Sequence, residues 1–340
     1  MKHLNLQIPI IQAPMAGGIT TPQLVSKVSN LGALGSYAAG YIKTPQMEED
    51  IKEIQSLTHK PFMVNLFVPE KYIVDPDAVQ IAIKALDPIY KKFELTPQLP
   101  SNNPEKDLKR FNQQIDKLIE LRVPICSFVF GIPSKEVIQR LKDNDILTMA
   151  TATSVEEALA IEKAGIDIVI AQGIEAGGHR GGFLEPMQQI PLTTLLPQVV
   201  KAVAIPVIAA GGIMTKPDIQ KARELGAIAV QMGTAFLLTD ESGATEAYKK
   251  SIIQEKQDNT VLTKAFSGKY ARGIRNEFIT LIESQPENAI LPYPIQNSLT
   301  KSIRKSARKN QNPQFISLWC GQNGYSGKRQ SVKDLLDSLI

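Results

Sequence analysis

The run Ala171-Gln172-Gly173-Ile174-Glu175-Ala176-Gly177-Gly178-His179-Arg180-Gly181-Gly182 packs five glycines into ten residues and holds one of the chain's three histidines. Glycines let a backbone approach a ligand closely and turn its N–H groups toward it. An imidazole titrates near neutral pH, so His179 reads as a general base or a hydrogen-bonding group. An exposed loop histidine with no task is the alternative. His3 and His59 lie in less distinctive settings and read as surface residues.

Two more loops carry small residues where a phosphate would sit. They are Ala209-Ala210-Gly211-Gly212-Ile213 and Gln231-Met232-Gly233-Thr234, the second ahead of a short helix. A side chain at Gly211, Gly212 or Gly233 would fill the space a phosphate needs. One such loop is as readily a tight turn, but two in succession favour phosphate. No Walker-type lysine is present, and no G-x-G-x-x-G opens a helix, which argues against ATP and against a Rossmann-bound dinucleotide.

Gln12-Ala13-Pro14-Met15-Ala16-Gly17-Gly18 offers a flat apolar floor at Met15, suited to a planar ring, or else ordinary core packing. Asn65 and Gln172 interrupt apolar runs. A buried amide left unpaired costs roughly 1–3 kcal/mol, so each needs a partner, either ligand or backbone. Cys126 reads as a small buried hydrophobe, while Cys320 lies in a loop beside Gly321 and its exposure is left open. Neither has a neighbouring histidine, and no metal-ligand cluster is visible.

These residues must be held by the elements before them. Short, nearly continuous apolar runs recur at Ile10–Ala16, Ala33–Ala38, Phe62–Val68, Ile125–Phe130, Ile146–Ala152, Asp167–Ala171, Pro206–Ala210 and Ala227–Met232. Such runs suit strands covered on both faces. Amphipathic stretches lie between them, opened by Thr20-Thr21-Pro22, Thr153-Ser154 and Lys216-Pro217-Asp218 and closed at Gly165 and Gly226. Eight strand–helix units predict a closed (β/α)8 barrel, with its loops after strands seven and eight on phosphate. An open doubly wound sheet is the rival. Residues 1–240 form the barrel, with a two-helix insertion over 69–124 near Ala78–Phe93 and Glu105–Leu121. Residues 241–340 are a helical and loop elaboration over the active site.

The chain has 340 residues, 43% hydrophobic and 21% charged, with 38 basic against 34 acidic side chains and a net charge of +4. That composition excludes disordered and collagen-like classes. The surplus is too small for a nucleic-acid footprint unless clustered. One cluster exists. Lys301, Arg304, Lys305, Arg308 and Lys309 fall on one face of a helix over Gln296–Asn310. It reads as a solvated face or a contact with an acidic surface. Two cysteines exclude a disulfide framework. Without a signal-like N-terminus or an uninterrupted apolar span, the chain is expected to be soluble and cytoplasmic, with no membrane or nucleic-acid partner. The oligomeric state is left open.

The segments Pro9–Gly18, Gln172–Gly181, Pro206–Gly212 and Gln231–Thr234 resemble the nitronate monooxygenase family, as do Ala265-Phe266-Ser267-Gly268 with Ala271-Arg272-Gly273, Leu291-Pro292-Tyr293-Pro294 and Leu318-Trp319-Cys320-Gly321-Gln322. The resemblance runs nearly end to end, and Glu-Ala-Gly-Gly-His-Arg-Gly is its most specific element. It implies an FMN-containing barrel that oxidises alkyl nitronates, with propionate 3-nitronate the expected substrate, using O2 to give a carbonyl compound and nitrite. By motif match, Asn65, Gln172, Gly177, Gly212 and Gln231 through Thr234 would contact FMN, with Gly178, Gly211 and Met15 beside them. His179 would meet the nitro group or act as base, and Tyr293 would line the substrate pocket. The family usually has Ala where Cys320 stands.

Two other readings remain at this point. One is an FMN-dependent NAD(P)H reductase of enoyl thioesters on acyl carrier protein, or of quinones, since relatives share the Glu-Ala-Gly-Gly-His run. Its basic helix would then greet an acidic carrier. The other is a non-catalytic sensor of a phosphorylated ligand on a barrel scaffold.

Overall fold

The computed structural model describes residues 6–340; His3 lies outside them. Eleven strands follow in chain order: β1 Ile10–Gln12, β2 Gly35–Ala38, β3 Phe62–Phe67, β4 Ile125–Val129, β5 Leu147–Ala152, β6 Ile168–Gln172, β7 Gly178–His179, β8 Val207–Ala210, β9 Ala229–Met232, β10 Thr260–Thr263 and β11 Ala271–Ile274. Eight of them pair in parallel in the order β1-β9-β8-β6-β5-β4-β3-β2. A parallel bridge from Ile11 to Leu34 closes the ring between β1 and β2. The chain is a (β/α)8 barrel. The rival open sheet is excluded by that closure.

Period-2 alternation explains the two-sided burial. Met63, Ile125, Met149, Ile168, Ile170 and Ile208 fill the barrel's interior. Their neighbours Val64, Cys126, Ala150, Val169 and Val207 face the surrounding helices. Most strands are shorter than their apolar runs, and β6 keeps its length one residue later. The first ends at Gln12 rather than Ala16, because Pro14 lacks the N–H a ladder needs and the backbone turns at Gly17 and Gly18, both at φ +90.

The helix ends follow their capping residues. Thr21, Ser154 and Thr215 accept from the N–H groups of Leu24, Glu157 and Asp218, opening the helices Pro22–Asn30, Val155–Lys163 and Lys216–Glu224. Gly165 and Gly226 follow two of these helices at positive φ.

The segment 69–124 carries two helices, Pro76–Lys92 and Pro104–Glu120. Val79, Leu86, Ile89 and Tyr90 of the first pack against Phe278, Leu299, Ile303 and Phe315 from the C-terminal third, forming a second core beside the barrel. Tyr90 Oη donates to Leu299 O at 2.7 Å across 209 residues of chain. Strand β11 pairs with both β10 and β7, so the glycine-rich loop after β6 is stitched into a three-stranded antiparallel sheet. The last helix, Val332–Leu339, returns Val332, Leu335, Leu336 and Leu339 to the main core. Among the described residues no helix is long and apolar enough to cross a membrane.

Candidate active site

The ends of β1, β3, β6, β8 and β9 open into one cavity of about 670 Å³. Met15, Asn65, Gln172, Gly177, Gly178, His179, Gly211, Gly212, Gln231, Met232, Gly233, Thr234 and Tyr293 all line it. All the residues expected from the sequence to meet a cofactor or substrate therefore come together at one end of the barrel.

One end of the cavity is a glycine cradle. Gly211 and Gly212 adopt φ +117 and +70, a region L side chains enter only under strain. The C-terminal loop clamps this cradle. Asn323 Nδ2 donates to Gly212 O at 2.7 Å, and Gly321 N donates to Thr234 Oγ1 at 3.0 Å. The clamp also explains Gly177, where a Cβ would lie 2.5 Å from the backbone of Cys320 and Gly321. Cys320 is only 2% exposed, which answers the question its loop position had left open. Its loop is pinned between Gly177 and Thr234, and burial pushes the thiol up to about 12.

The amides divide. Gln172 is used by its own loop, since Nε2 donates to His179 O at 3.1 Å and Oε1 accepts from Gly181 N at 2.9 Å. Asn65 Nδ2 donates to Ser127 Oγ at 3.0 Å. Gln231 differs, because its Oε1 is buried and has no donor among the described residues. An acceptor stranded in this way calls for an N–H from a ligand.

At the other end His179 lies between Phe130 and Trp319, with ring centroids 5.9 and 5.4 Å away. Its Nε2 meets Ser267 Oγ at 2.9 Å. Burial first, then the charges of Lys269 and Arg304, push its pKa down to about 3. The imidazole is therefore neutral at pH 7. Lys269 is held by Glu70 and rides over the Phe130 ring, 4.8 Å from its centroid. Phe130 itself sits at φ +70, strain that tends to collect at working sites. Tyr293 packs on Phe130 at 5.7 Å.

The basic cluster is a solvated face only in part, because Lys301, Lys305 and Lys309 are exposed while Arg304 and Arg308 are half-buried. The expected single helix is broken at Thr300 into Ile295–Leu299 and Lys301–Lys309. Lys301, Arg304, Lys305 and Arg308 line the cavity. Their helix buries Ile303 and Ala307 in the second core, which brings the two arginines over the barrel mouth. Tyr72, Asn102 and Arg110 of the insertion form the facing wall.

A family described as Nitronate monooxygenase matches residues 1–340. The chain belongs to the nitronate monooxygenase family. It is an oxidoreductase by that membership. A protein named "Probable nitronate monooxygenase" from Staphylococcus haemolyticus (strain JCSC1435) is 46% identical over 343 residues, covering 100% of this chain and 95% of the relative. A nitroalkane oxidase from Streptomyces ansochromogenes superposes with a TM-score of 0.93 at 39% identity, covering 98% of this chain and 95% of that one. FabK from Thermotoga maritima superposes less well, with a TM-score of 0.77 at 28% identity over 99% and 93%.

Several residues of this family member's site escaped the sequence reading. Phe130 and Asn323 reach the cavity from distant segments with no local spacing to mark them, and Ser267 and Trp319 do so from segments that only the family resemblance had singled out. Arg304 gave a signal of its own, as part of a cationic face with no acid on it.

Proposed function

We propose that this chain is an FMN-dependent enzyme that oxidises alkyl nitronates, propionate 3-nitronate among them, with O2 to a carbonyl compound and nitrite. The observation that carries the reading is a glycine cradle and a neutral histidine at two ends of one cavity, in a chain of this family. The residues fit FMN. Gly211, Gly212 and Gly233 leave room and backbone N–H groups for a phosphate. The stranded Gln231 Oε1 would accept from the imide N–H at a flavin's edge, and Met15 offers a flat apolar contact. When bound, the flavin supplies the redox chemistry, and the protein binds, orients and tunes.

The protein's own contribution at the substrate is positional. Ser267 Oγ donates to Lys269 O at 3.1 Å, so it receives its bond from His179 Nε2–H. That leaves Nδ1 with no protein partner among the described residues. A nitronate has already lost its carbon-bound proton, so the reaction asks for no strong base. A weakly basic imidazole suits it. His179 contacts the nitro group, and an anionic oxygen there raises the ring's proton affinity, so that a proton taken from solvent as the substrate enters makes Nδ1–H a donor to it. Phe130, Trp319 and Tyr293 exclude water around it. Two free, buried cysteines fit a reducing compartment, and we assign the reaction to the cytoplasm.

The test is the purified protein loaded with FMN, given propionate 3-nitronate in air. Stoichiometric FMN and nitrite release are expected. FMN binding with NADH oxidation but no nitrite would replace this reading with the reductase.

A further inference from the structure

The cavity holds a cation without a counter-ion. Arg304 spends Nη2 on Asn297, donating to its O at 2.8 Å and Oδ1 at 2.7 Å, and Nε on Thr300 Oγ1 at 3.3 Å. Its Nη1 makes no hydrogen bond and no ion pair among the described residues. The acids lining the cavity are committed elsewhere, Glu70 to Lys269 and Asp107 to Tyr72 and Arg110. Arg308 turns Nη1 to Gly17 O at 3.2 Å, and Lys301 and Lys305 stand in solvent, where water screens them. Arg304 is half-buried, and burial pushes it down to about 10, so it stays charged. It acts electrostatically on Tyr41 and on His179. Tyr41 and Tyr293 line the cavity with it.

We propose that Arg304 selects nitronates that carry a second anionic group on the carbon chain, a carboxylate, which its free Nη1, Tyr41 and Tyr293 receive while His179 meets the nitro end. This rests on the nitronate reading above and adds the residue that sets substrate choice. A guanidinium fixed along one edge by Asn297 and Thr300 offers a preorganised donor, and a charge-assisted bond there exceeds a neutral one. A neutral alkyl chain would leave that donor unpaired.

The test compares Arg304→Met with the unchanged protein on propionate 3-nitronate and propyl-1-nitronate, by nitrite release. The ratio of their kcat/KM values is expected to fall by about 30-fold or more, carried by KM. Arg304→Lys, which keeps the charge but not the fork, gives an intermediate loss of about fivefold. Equal losses for both substrates would overturn the proposal, as would an unchanged ratio in Arg304→Met and a collapsed one in Lys301→Met or Lys305→Met. A second readout needs no turnover. The single tryptophan, Trp319, faces His179, and its fluorescence in the cofactor-free protein reports 3-nitropropionate against 1-nitropropane. Tighter binding of the carboxylate, lost in Arg304→Met, is expected; equal binding of the two ligands overturns the proposal. No nitrite from either nitronate in the unchanged, FMN-loaded protein would instead sink the nitronate reading.

Discussion

His179 Nε2 lies 2.9 Å from Ser267 Oγ, a residue 88 positions further along the chain. The pairing ties the glycine-rich loop after β6 to the turn before β11, and it sets which face of the imidazole a ligand meets. His179→Asn should lower kcat/KM for nitronates by about 10²–10³-fold, the usual cost of losing a donor aimed at developing charge. FMN content should not change. Ser267→Ala removes one orienting bond worth about 1 kcal/mol, so a loss of roughly fivefold is expected. Steady-state nitrite assays check both.

The low pKa of His179 has a definite pH signature. The free protein should show no titration of kcat/KM near pH 6.5 once the fraction of ionised substrate is accounted for. The same group affects stability. Unfolded, it takes up a proton below about pH 6.5; folded, it does so only near pH 3. The unfolded state thus binds more protons between these values, and stability falls as pH drops through that window. In His179→Gln, Tm measured from neutral pH down toward pH 4 should fall less steeply than in the unchanged protein.

Gln231 predicts opposite signs for one substitution. Gln231→Met removes a buried acceptor that has no donor. The cofactor-free protein should gain stability, by up to about 1–3 kcal/mol, while FMN binds more weakly. Thermal melts with and without FMN separate the two effects. Equal shifts in both forms would show that Gln231 does not face the cofactor.

Gly212→Ala tests the cradle. At φ +70 an alanine costs about 1–2 kcal/mol of strain, and its Cβ would press on Glu175 Cβ at 3.1 Å. FMN dissociation constants from fluorescence quenching should rise by about tenfold, while Gly165→Ala, whose Cβ would approach only Lys142 Nζ at 3.9 Å and which lies outside the cavity lining, should not affect them.

Both cysteines should be silent toward a disulfide reagent in the folded protein. Cys126 and Cys320 are buried, and burial pushes both thiols up; the thiolate is the reactive form. Two thiols should titrate after unfolding in guanidinium.

The barrel was legible because strands covered on both faces leave apolar runs that no exposed loop needs, and because Thr21, Ser154 and Thr215 announce their helices. Glycine loops marked the cradle, since positive φ and close approach restrict the residue type. Long-range relationships were not legible. Cys320 is hidden by Gly177 and Thr234, which lie some 140 and 90 residues upstream in the sequence, and nothing at Ser267 signals His179. The basic helix shows the limit most clearly. Its periodicity put Lys301, Arg304, Lys305 and Arg308 on one face, but a periodicity cannot say whether that face meets water or a cavity. The packing of Ile303 and Ala307 divides it, leaving the lysines exposed and the two arginines half-buried at the cavity.

The central claim is that a nitronate in this cavity gives its electrons directly to a flavin beside His179. An anaerobic titration of the FMN-loaded protein with propionate 3-nitronate, followed by flavin absorbance and without any nicotinamide, tests it most directly. Bleaching of the oxidised flavin spectrum, abolished or slowed by about 10²-fold or more in His179→Asn, is the predicted result. An oxidised spectrum that ignores the nitronate and bleaches only with NADH would contradict the account.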